Sequence, residues 1–323
     1  MFGEIKYFLI GSAAVLLIFH IDIIFSTLSI SKRFELHNYS PPKYVGLHLN
    51  AGRLGNQLFH LISGYGIART LGRIHYLPCE ETRTYVLNFL KPVLETFPNL
   101  DHTYVVPQNV TNETIVPFSR TCCDYVNPER FLNHPSQYLL LDFSFAQNPR
   151  YFDNYLDDVR RILTFSSKAK TEGERNIQIM NVSHNSALCI HIRRGDFVGF
   201  NVSSDFDRTV GAAYIIAKQM SIDRFVIFGD DREFMRNVGK AITKKGKWCE
   251  QAAYVSGFDN RADLYLSSQL CRSFLITAPT SSYGWWMAFF AQNQDSIFYI
   301  LDDRSIGTKK PRKDLFLKTW RQI

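Results

Sequence analysis

Short apolar segments alternate with stretches of helical length from residue 187 to residue 300, and this alternation limits the fold more than any other feature of the chain. The apolar segments have the length of strands, whereas the stretches between them have the length of helices. The predicted strands are 187–192, 224–228, 273–278 and 296–300, and the predicted helices are 209–220, 234–242, 262–269 and 283–291. Such alternation is typical of a doubly wound parallel sheet, so the sequence predicts an α/β fold.

The chain before residue 187 carries fewer elements of this kind. They are a strand at 44–49, a turn at 52–59 that opens a helix ending at Leu71, and a helix at 155–165. Residues 166–186 are polar and predict a linker between domains. A length of 323 residues suits one large or two modest domains. The predicted domains are 43–170 and 185–305, followed by a C-terminal tail at 306–323.

A mostly apolar segment lies near the N-terminus, at 7–30. It is long enough to cross a bilayer, which takes about 20 residues. We predict a signal anchor at 7–30, with a cytoplasmic tail at 1–6 and a stem at 31–42. Because His20 and Asp22 interrupt the segment, a cleaved signal peptide and a buried helix remain alternatives. An anchor or a signal peptide would place the rest of the chain in the secretory lumen.

Five triplets match the acceptor sequence for N-linked glycosylation, which fits a lumenal location. Their asparagines are Asn38, Asn109, Asn112, Asn181 and Asn201.

Six cysteines are compatible with one or two disulfides in an oxidising lumen. None belongs to a C-x-x-C pair, so a zinc site is not predicted. Cys122 and Cys123 are adjacent, and at least one of them is expected to have a distant partner. Cys189 and Cys271 lie among apolar residues, and we interpret them as buried small side chains.

The segment His191-Ile-Arg-Arg-Gly-Asp196 follows a predicted strand directly, at the place where α/β sheets bind ligands. Adjacent arginines there favour an anion such as a diphosphate, whose charge a guanidinium stabilises as a bond to sugar breaks. The net charge of +7 agrees with an anionic ligand, but no motif for nucleic-acid binding accompanies it. The alternative is a surface ion pair between arginine and Asp196.

Three further segments offer polar groups next to predicted strands or helices. Ser281 and Ser282 begin a predicted helix, where they would cradle a phosphate or act only as caps. Asp230 and Asp231 follow a strand and would accept hydrogen bonds from guanine or ribose, or cap a helix. The turn at 52–57 lets the backbone at Gly55 approach a ligand that the Asn56 amide contacts.

Together these motifs resemble those of the glycosyltransferase family 11 fucosyltransferases. The resemblance covers roughly 46–75 and 141–300 and depends on the order and spacing of four motifs. They are GRLGNQLF at 52–59, HIRRGD at 191–196, VIFGDD at 226–231 and SSYGWW at 281–286.

The resemblance implies a GT-B-like fold of two Rossmann-like domains that face a cleft. It implies an inverting, metal-independent galactoside α-1,2-fucosyltransferase, which moves L-fucose from GDP-fucose to the 2-hydroxyl of galactose on a glycan. Domain 43–170 would lie on the acceptor side and domain 185–305 would bind the GDP-sugar. The expected location is the Golgi membrane, with single-pass type II topology. A different acceptor linkage and an inactive GDP- or glycan-binding protein are the alternatives.

The resemblance also assigns roles to individual residues. Arg193 and Arg194 would hold the pyrophosphate with Ser281 and Ser282, and Gly55 and Asn56 would face the same cleft from the other domain. His191 and Asp230 would lie near the guanosine, with Asp231 beside them. The chain differs from the family pattern at Gly229, Thr280 and Ser273, where the family usually has Ser, Asn and His.

Transfer to a hydroxyl group also needs a proton acceptor. The candidates are Asp205 and Asp207, which follow the arginine motif, and Asp196 within it. The Asp205-Phe-Asp207 pattern also matches a metal-binding alternative found in other glycosyltransferases. We expect no metal, because arginines already supply positive charge.

Overall fold

Two parallel sheets with helices packed on them make up the computed structural model. It describes residues 41–49, 52–78, 90–108, 110–143 and 145–323. The predicted tail at 1–6, the anchor at 7–30 and most of the stem lie outside these residues, as do Asn38 and Asn109. Among the helices of the described part, none combines the length and the apolar character that a bilayer span requires.

The first sheet has four parallel strands in the order β2-β1-β4-β3. Its strands are β1 (Tyr44–Leu47), β2 (Ile74–His75), β3 (Glu113–Pro117) and β4 (Tyr138–Asp142). The helices of this part of the chain are α1 (Leu54–Leu71), α2 (Lys91–Thr96) and α3 (Leu156–Ile162). The predicted strand at 44–49 and the helix ending at Leu71 are confirmed.

The second sheet has six parallel strands in the order β10-β9-β8-β5-β6-β7. The strands are β5 (Ala187–Ile192), β6 (Phe225–Gly229), β7 (Ala253–Val255), β8 (Cys271–Ile276), β9 (Ile297–Tyr299) and β10 (Arg321–Gln322). The helices are α5 (Gly195–Gly199), α6 (Phe206–Met220), α7 (Arg232–Gly246), α8 (Asn260–Leu270) and α9 (Ser282–Phe290). The doubly wound parallel sheet is confirmed, and its strand order reverses direction between β5 and β8.

The segment 166–186 is not the irregular linker that its polarity suggested. It forms helix α4 (Ser167–Met180), capped by the Ser166 hydroxyl, which accepts a hydrogen bond from the Ala169 N–H. Gly173 lies on the buried side of the helix, where an added Cβ would be 2.0 Å from the Tyr265 ring of α8. The polar residues form the solvent face of this helix, and a narrow apolar stripe is enough to hold the helix against the core.

Residues 306–323, expected to be a tail, fold back onto the second sheet. Strand β10 pairs with β9, and Trp320 just before it is buried. The Leu315 carbonyl accepts a hydrogen bond of 2.8 Å from the Trp285 indole of α9. The division into domains 43–170 and 185–305 stays a prediction, because an apolar core that contains residues of both is continuous across the boundary.

The N-terminus of α1 is packed directly against the N-terminus of α9. An added Cβ at Gly55 would lie 2.6 Å from the Tyr283 nitrogen, so a larger residue there would push the helices apart. The Trp286 indole donates to the Gly55 carbonyl at 3.0 Å, and the Phe59 ring packs between Trp285 and Trp286. These contacts hold the GRLGNQLF and SSYGWW segments together.

The disulfides differ from what the sequence suggested. Cys122 is bonded to Cys123, so neither has a distant partner. Cys189 of β5 is bonded to Cys271 of β8, which makes this buried pair a cross-link between adjacent strands. Cys249 is exposed and unbonded.

Candidate active site

A cleft of about 440 Å³ opens at the carboxyl ends of β5, β6 and β8, beside the abutting N-termini of α1 and α9. It therefore lies where the strand order of the second sheet reverses, the usual ligand position in such sheets. Most of the residues predicted from the sequence line it: Gly55, Asn56, His191, Arg193, Asp196, Asp230, Ser281 and Ser282. Arg194, Asp205 and Asp231 do not.

Arg193 is the cleft-lining arginine of the HIRRGD segment. Its guanidinium is 2.5 Å from Asp230 Oδ2, bonds to Asp196 on its other side, and lies 4.9 Å from the centre of the Phe197 ring. Two carboxylates and a ring thus fix the plane of the guanidinium, which still has N–H donors available for a ligand.

Arg194 has a different environment, because its side chain turns away from the cleft. Its Nε is 3.0 Å from Asp231 Oδ2, and its guanidinium lies 4.2 Å from the centre of the Phe234 ring. Asp231 in turn caps α7 by accepting from the Phe234 N–H. That hydrogen bond, together with Arg194, lowers the pKa of Asp231. Arg194 reaches the site through its backbone N–H, which donates to Asp230 Oδ1 at 2.7 Å.

The candidate proton acceptors are occupied or distant from the cleft. Asp205 caps α6, where its side chain accepts a hydrogen bond of 2.8 Å from the Arg208 N–H. Asp196 lines the cleft, but Arg193 and Arg53 both contact its carboxylate, the latter at 2.6 Å. Among the described residues, Asp205 and Asp207 belong to no cluster of three or more metal-ligating side chains.

His191 lines the cleft, and its buried Nδ1 is on the side of the ring that packs against Gly284. None of the described residues bonds to its Nδ1. Burial, helped by the nearby Arg193 charge, lowers the pKa of His191 to about 3, so the ring is neutral. Gly284 of α9 makes room for the ring, because an added Cβ would lie 2.4 Å from Nδ1.

Thr280 provides a second buried polar atom at the start of α9. Within the described part of the chain its Oγ1 has no hydrogen-bond partner, although it lines the cleft. Ser281 caps the helix by accepting from the Gly284 N–H at 3.3 Å. An orphan hydroxyl, a neutral imidazole and the positive end of a helix dipole make this end of the cleft suited to an anionic ligand.

A chain of hydrogen bonds crosses the cleft and includes two residues that sequence reasoning missed, Gln147 and Lys309. Asn56 Oδ1 accepts from Ser282 Oγ at 2.5 Å and from Gln147 Nε2 at 2.8 Å. Gln147 Oε1 accepts from Lys309 Nζ at 2.5 Å. Lys309 lies in the segment that the sequence predicted as a C-terminal tail, because nothing local indicates that a turn at 306–309 brings it into the cleft.

Asp263 of α8 is another cleft residue that the motifs did not reveal. It is only 4% exposed, and the Ser256 hydroxyl donates to one carboxylate oxygen at 2.5 Å. Burial raises the pKa of Asp263 to about 7. A carboxylate on the apolar side of a helix was the signal available in the sequence.

A smaller side cavity of about 210 Å³ adjoins the cleft. Cys122, Phe145 and Thr308 line both spaces. The Phe145 ring is partly exposed, and Arg120 and Asp142 add polar groups to the side cavity. An apolar ring beside polar groups suits a sugar, which has both apolar and hydroxyl-bearing faces.

Comparison with known proteins identifies the family of the chain. The model of glycosyl transferase family 11 matches residues 42–323. The chain belongs to that family. Similar proteins include a putative glycosyltransferase of Caenorhabditis elegans, 32% identical over 85% of this chain and 78% of the relative. A galactoside 2-alpha-L-fucosyltransferase of the same organism is 27% identical over 84% of this chain and 76% of its own length.

The fold of this family 11 member is also found among solved structures. NodZ alpha-1,6-fucosyltransferase, crystallised with GDP, aligns with a TM-score of 0.50 over 78% of this chain and 93% of that chain, at 12% identity. At this identity the similarity concerns the fold alone, and it agrees with the GT-B-like arrangement of parallel sheets expected from the sequence.

Proposed function

We propose that this glycosyltransferase moves L-fucose from GDP-fucose to the 2-hydroxyl of a galactose residue on a glycan, with inversion at the transferred carbon. The observation that carries the proposal is the cluster of Arg193, Thr280 Oγ1 and the α9 N-terminus at one end of the cleft. The names of relatives such as the galactoside 2-alpha-L-fucosyltransferase support the choice of sugar and linkage.

In this proposal the donor diphosphate lies against the N-terminus of α9. The free N–H groups of the helix and the Thr280 hydroxyl bind phosphate oxygens, and the Arg193 guanidinium neutralises charge that develops on GDP as the bond to fucose breaks. Asp230 and Asp196 hold the guanidinium in place during the reaction. The positive charge in this scheme comes from the protein, so a divalent cation is not required.

The nucleoside would extend toward His191 and Asp263. The Asp263 carboxylate can accept from the N1–H and N2–H₂ groups of guanine when it is ionised, while the neutral His191 ring adds no charge beside it. The acceptor galactose would enter from the side cavity, with its apolar face on Phe145.

We also propose that residues 7–30 anchor the chain in the Golgi membrane with the catalytic unit in the lumen. Asn112, Asn181 and Asn201 are exposed, as glycosylation requires, and the two disulfides suit an oxidising compartment. A glycosidase-sensitive mass shift that disappears when all five predicted acceptor asparagines are changed to Gln would support lumenal exposure, and a chain without glycans would contradict it.

The activity is tested with the full-length chain, GDP-fucose and a panel of β-galactosides, with and without EDTA. We expect transfer in both conditions and a product that an α-1,2-specific fucosidase cleaves. A product with another linkage would refute the acceptor assignment. GDP binding without transfer to any acceptor would favour an inactive binding protein. Loss of activity in EDTA would refute the proposal that the protein neutralises the diphosphate without a divalent cation.

A further inference from the structure

Lys309 is a cleft residue of unusual environment. It is half-buried, and its Nζ donates to the neutral Gln147 side chain at 2.5 Å. In the part of the chain that the structure describes, no carboxylate forms an ion pair with it, whereas Asp196 and Asp230 in the same cleft are held by arginines. An amine without a counter-ion in such a place is costly to keep charged.

The position of Lys309 is set by two features. The turn at 306–309 is closed by backbone hydrogen bonds between Ile306 and Lys309, and Gly307 within it has a φ of +57°. Thr308, the residue before it, lines both the donor cleft and the side cavity. Lys309 therefore lines the cleft beside a residue that the two spaces share, near the point at which an acceptor hydroxyl would meet the donor sugar.

We propose that Lys309 is the general base of the transfer reaction. The proposal rests on the function proposed above. The lone pair of the neutral Nζ takes the proton of the attacking hydroxyl while the hydroxyl oxygen bonds to the anomeric carbon of fucose. The bond from that carbon to the β-phosphate oxygen breaks, and both of its electrons leave with GDP. Gln147 orients the amine by accepting one of its N–H groups, which leaves the lone pair free.

The electrostatics of the cleft agree with this role. Loss of hydration lowers the pKa of Lys309 to about 7, so a large fraction of the amine is neutral near neutral pH. The charged groups that share the cleft with it are Arg53, Arg193, Asp196, Asp230 and Asp263. Asp196 and Asp230 are already engaged by the arginines, so neither is a counter-ion of the amine.

The decisive test compares Lys309→Arg and Lys309→Met with the wild-type full-length chain. Arginine preserves a cation and a donor to Gln147 but has no lone pair to accept a proton. We expect both variants to lose on the order of 10²-fold or more in kcat, with GDP affinity within about threefold of wild type. Lys310→Met, at the exposed neighbouring position, is the matched control and is expected to be unchanged.

The pH profile separates this role from a structural one. At saturating donor and acceptor, the wild-type kcat is expected to decrease as the pH falls through about 7, the pKa of Lys309. This acidic limb should be absent from Lys309→Arg. Asp263 also titrates near neutrality, but it is expected to affect donor affinity, which saturation removes.

Three outcomes would overturn the proposal. Lys309→Arg with more than about a third of the wild-type kcat would show that only the charge matters. Weakened GDP binding with normal kcat at saturation would make Lys309 a donor-holding residue. An unchanged acidic limb in Lys309→Arg would place the base elsewhere. If the wild-type chain transfers fucose to no acceptor, the proposed function fails, which is a separate result.

Discussion

Arg193 Nη1 and Asp230 Oδ2 are 2.5 Å apart at the ends of the adjacent strands β5 and β6. Asp230 also accepts from the Arg194 N–H, so one carboxylate fixes both the side chain of one arginine and the backbone of the next. The consequence is a division of labour, in which Arg193 lines the cleft and the Arg194 side chain stabilises the start of α7.

This division predicts different effects for the two arginines. Arg193→Met is expected to lower kcat by about 10²–10³-fold, the cost of removing one charge-stabilising donor. Arg194→Met should lower kcat much less and reduce the melting temperature instead, because Asp231 and the α7 cap lose a partner. Steady-state kinetics and thermal unfolding of both variants are the measurements. A larger loss of kcat in Arg194→Met would contradict the assignment.

Gly284 is predicted to be essential for the shape of the site. In Gly284→Ala the new methyl group would lie 2.4 Å from His191 Nδ1, so the ring must move. We expect a loss of stability of about 1–3 kcal/mol and weaker GDP binding. Gly211→Ala, in α6, is the matched control because nothing lies within 4 Å of the added Cβ. It should be as stable as wild type or more so, since alanine favours a helix.

Asp263 is predicted to make GDP binding depend on pH near neutrality. Its pKa is raised to about 7 by burial, and only the ionised form accepts two hydrogen bonds from guanine. GDP affinity should therefore fall as pH decreases from 8 to 6, and calorimetric titration would show this. Asp263→Asn should bind GDP more weakly at pH 8 and with little pH dependence. Equal pH dependence in wild type and variant would place guanine elsewhere.

Asp263 is also predicted to make the free energy of unfolding depend on pH. Because the pKa of Asp263 is higher in the folded chain than in the unfolded chain, its protonated form stabilises the fold, and this contribution is lost as pH rises through 7. Asp263→Asn, which stays neutral, should therefore gain stability relative to wild type between pH 4 and pH 8. Urea unfolding at several pH values is the measurement, and a constant difference would contradict the burial of this carboxyl.

Phe145 is predicted to affect the acceptor and not the donor. Phe145→Ser removes the ring at the border of the side cavity and should raise the acceptor KM by roughly 2–10-fold, the contribution of one aromatic contact. The KM for GDP-fucose should be unchanged. Leu132→Ser is a suitable control, because Leu132 is exposed to a similar degree but lines neither space. An effect on donor KM alone would refute the acceptor route.

The sequence predicted the second sheet well because each of its central strands is a short apolar run that ends in a polar motif. It also indicated which segments meet, since the HIRRGD and VIFGDD motifs each begin within a strand and continue beyond its end. The sequence did not show that the Arg193 and Arg194 side chains have different roles. Successive side chains leave a strand end in different directions, and only the packing against Phe234 shows that Arg194 turns away from the cleft.

Long-range placement explains the other omissions. Lys309 enters the cleft because the chain folds back to pair β10 with β9, and no local sequence pattern predicts this pairing. Asp263 differs from a surface carboxylate only by what packs on α8. The helix at Ser167–Met180 was missed because its apolar residues are few, although Gly173, Ile177 and Met180 have helical spacing.

The return of residues 306–323 to the sheet has a consequence for biosynthesis. The turn that carries Lys309 is synthesised after every other residue that lines the cleft, so the nascent chain cannot complete the cleft until translation has passed this point.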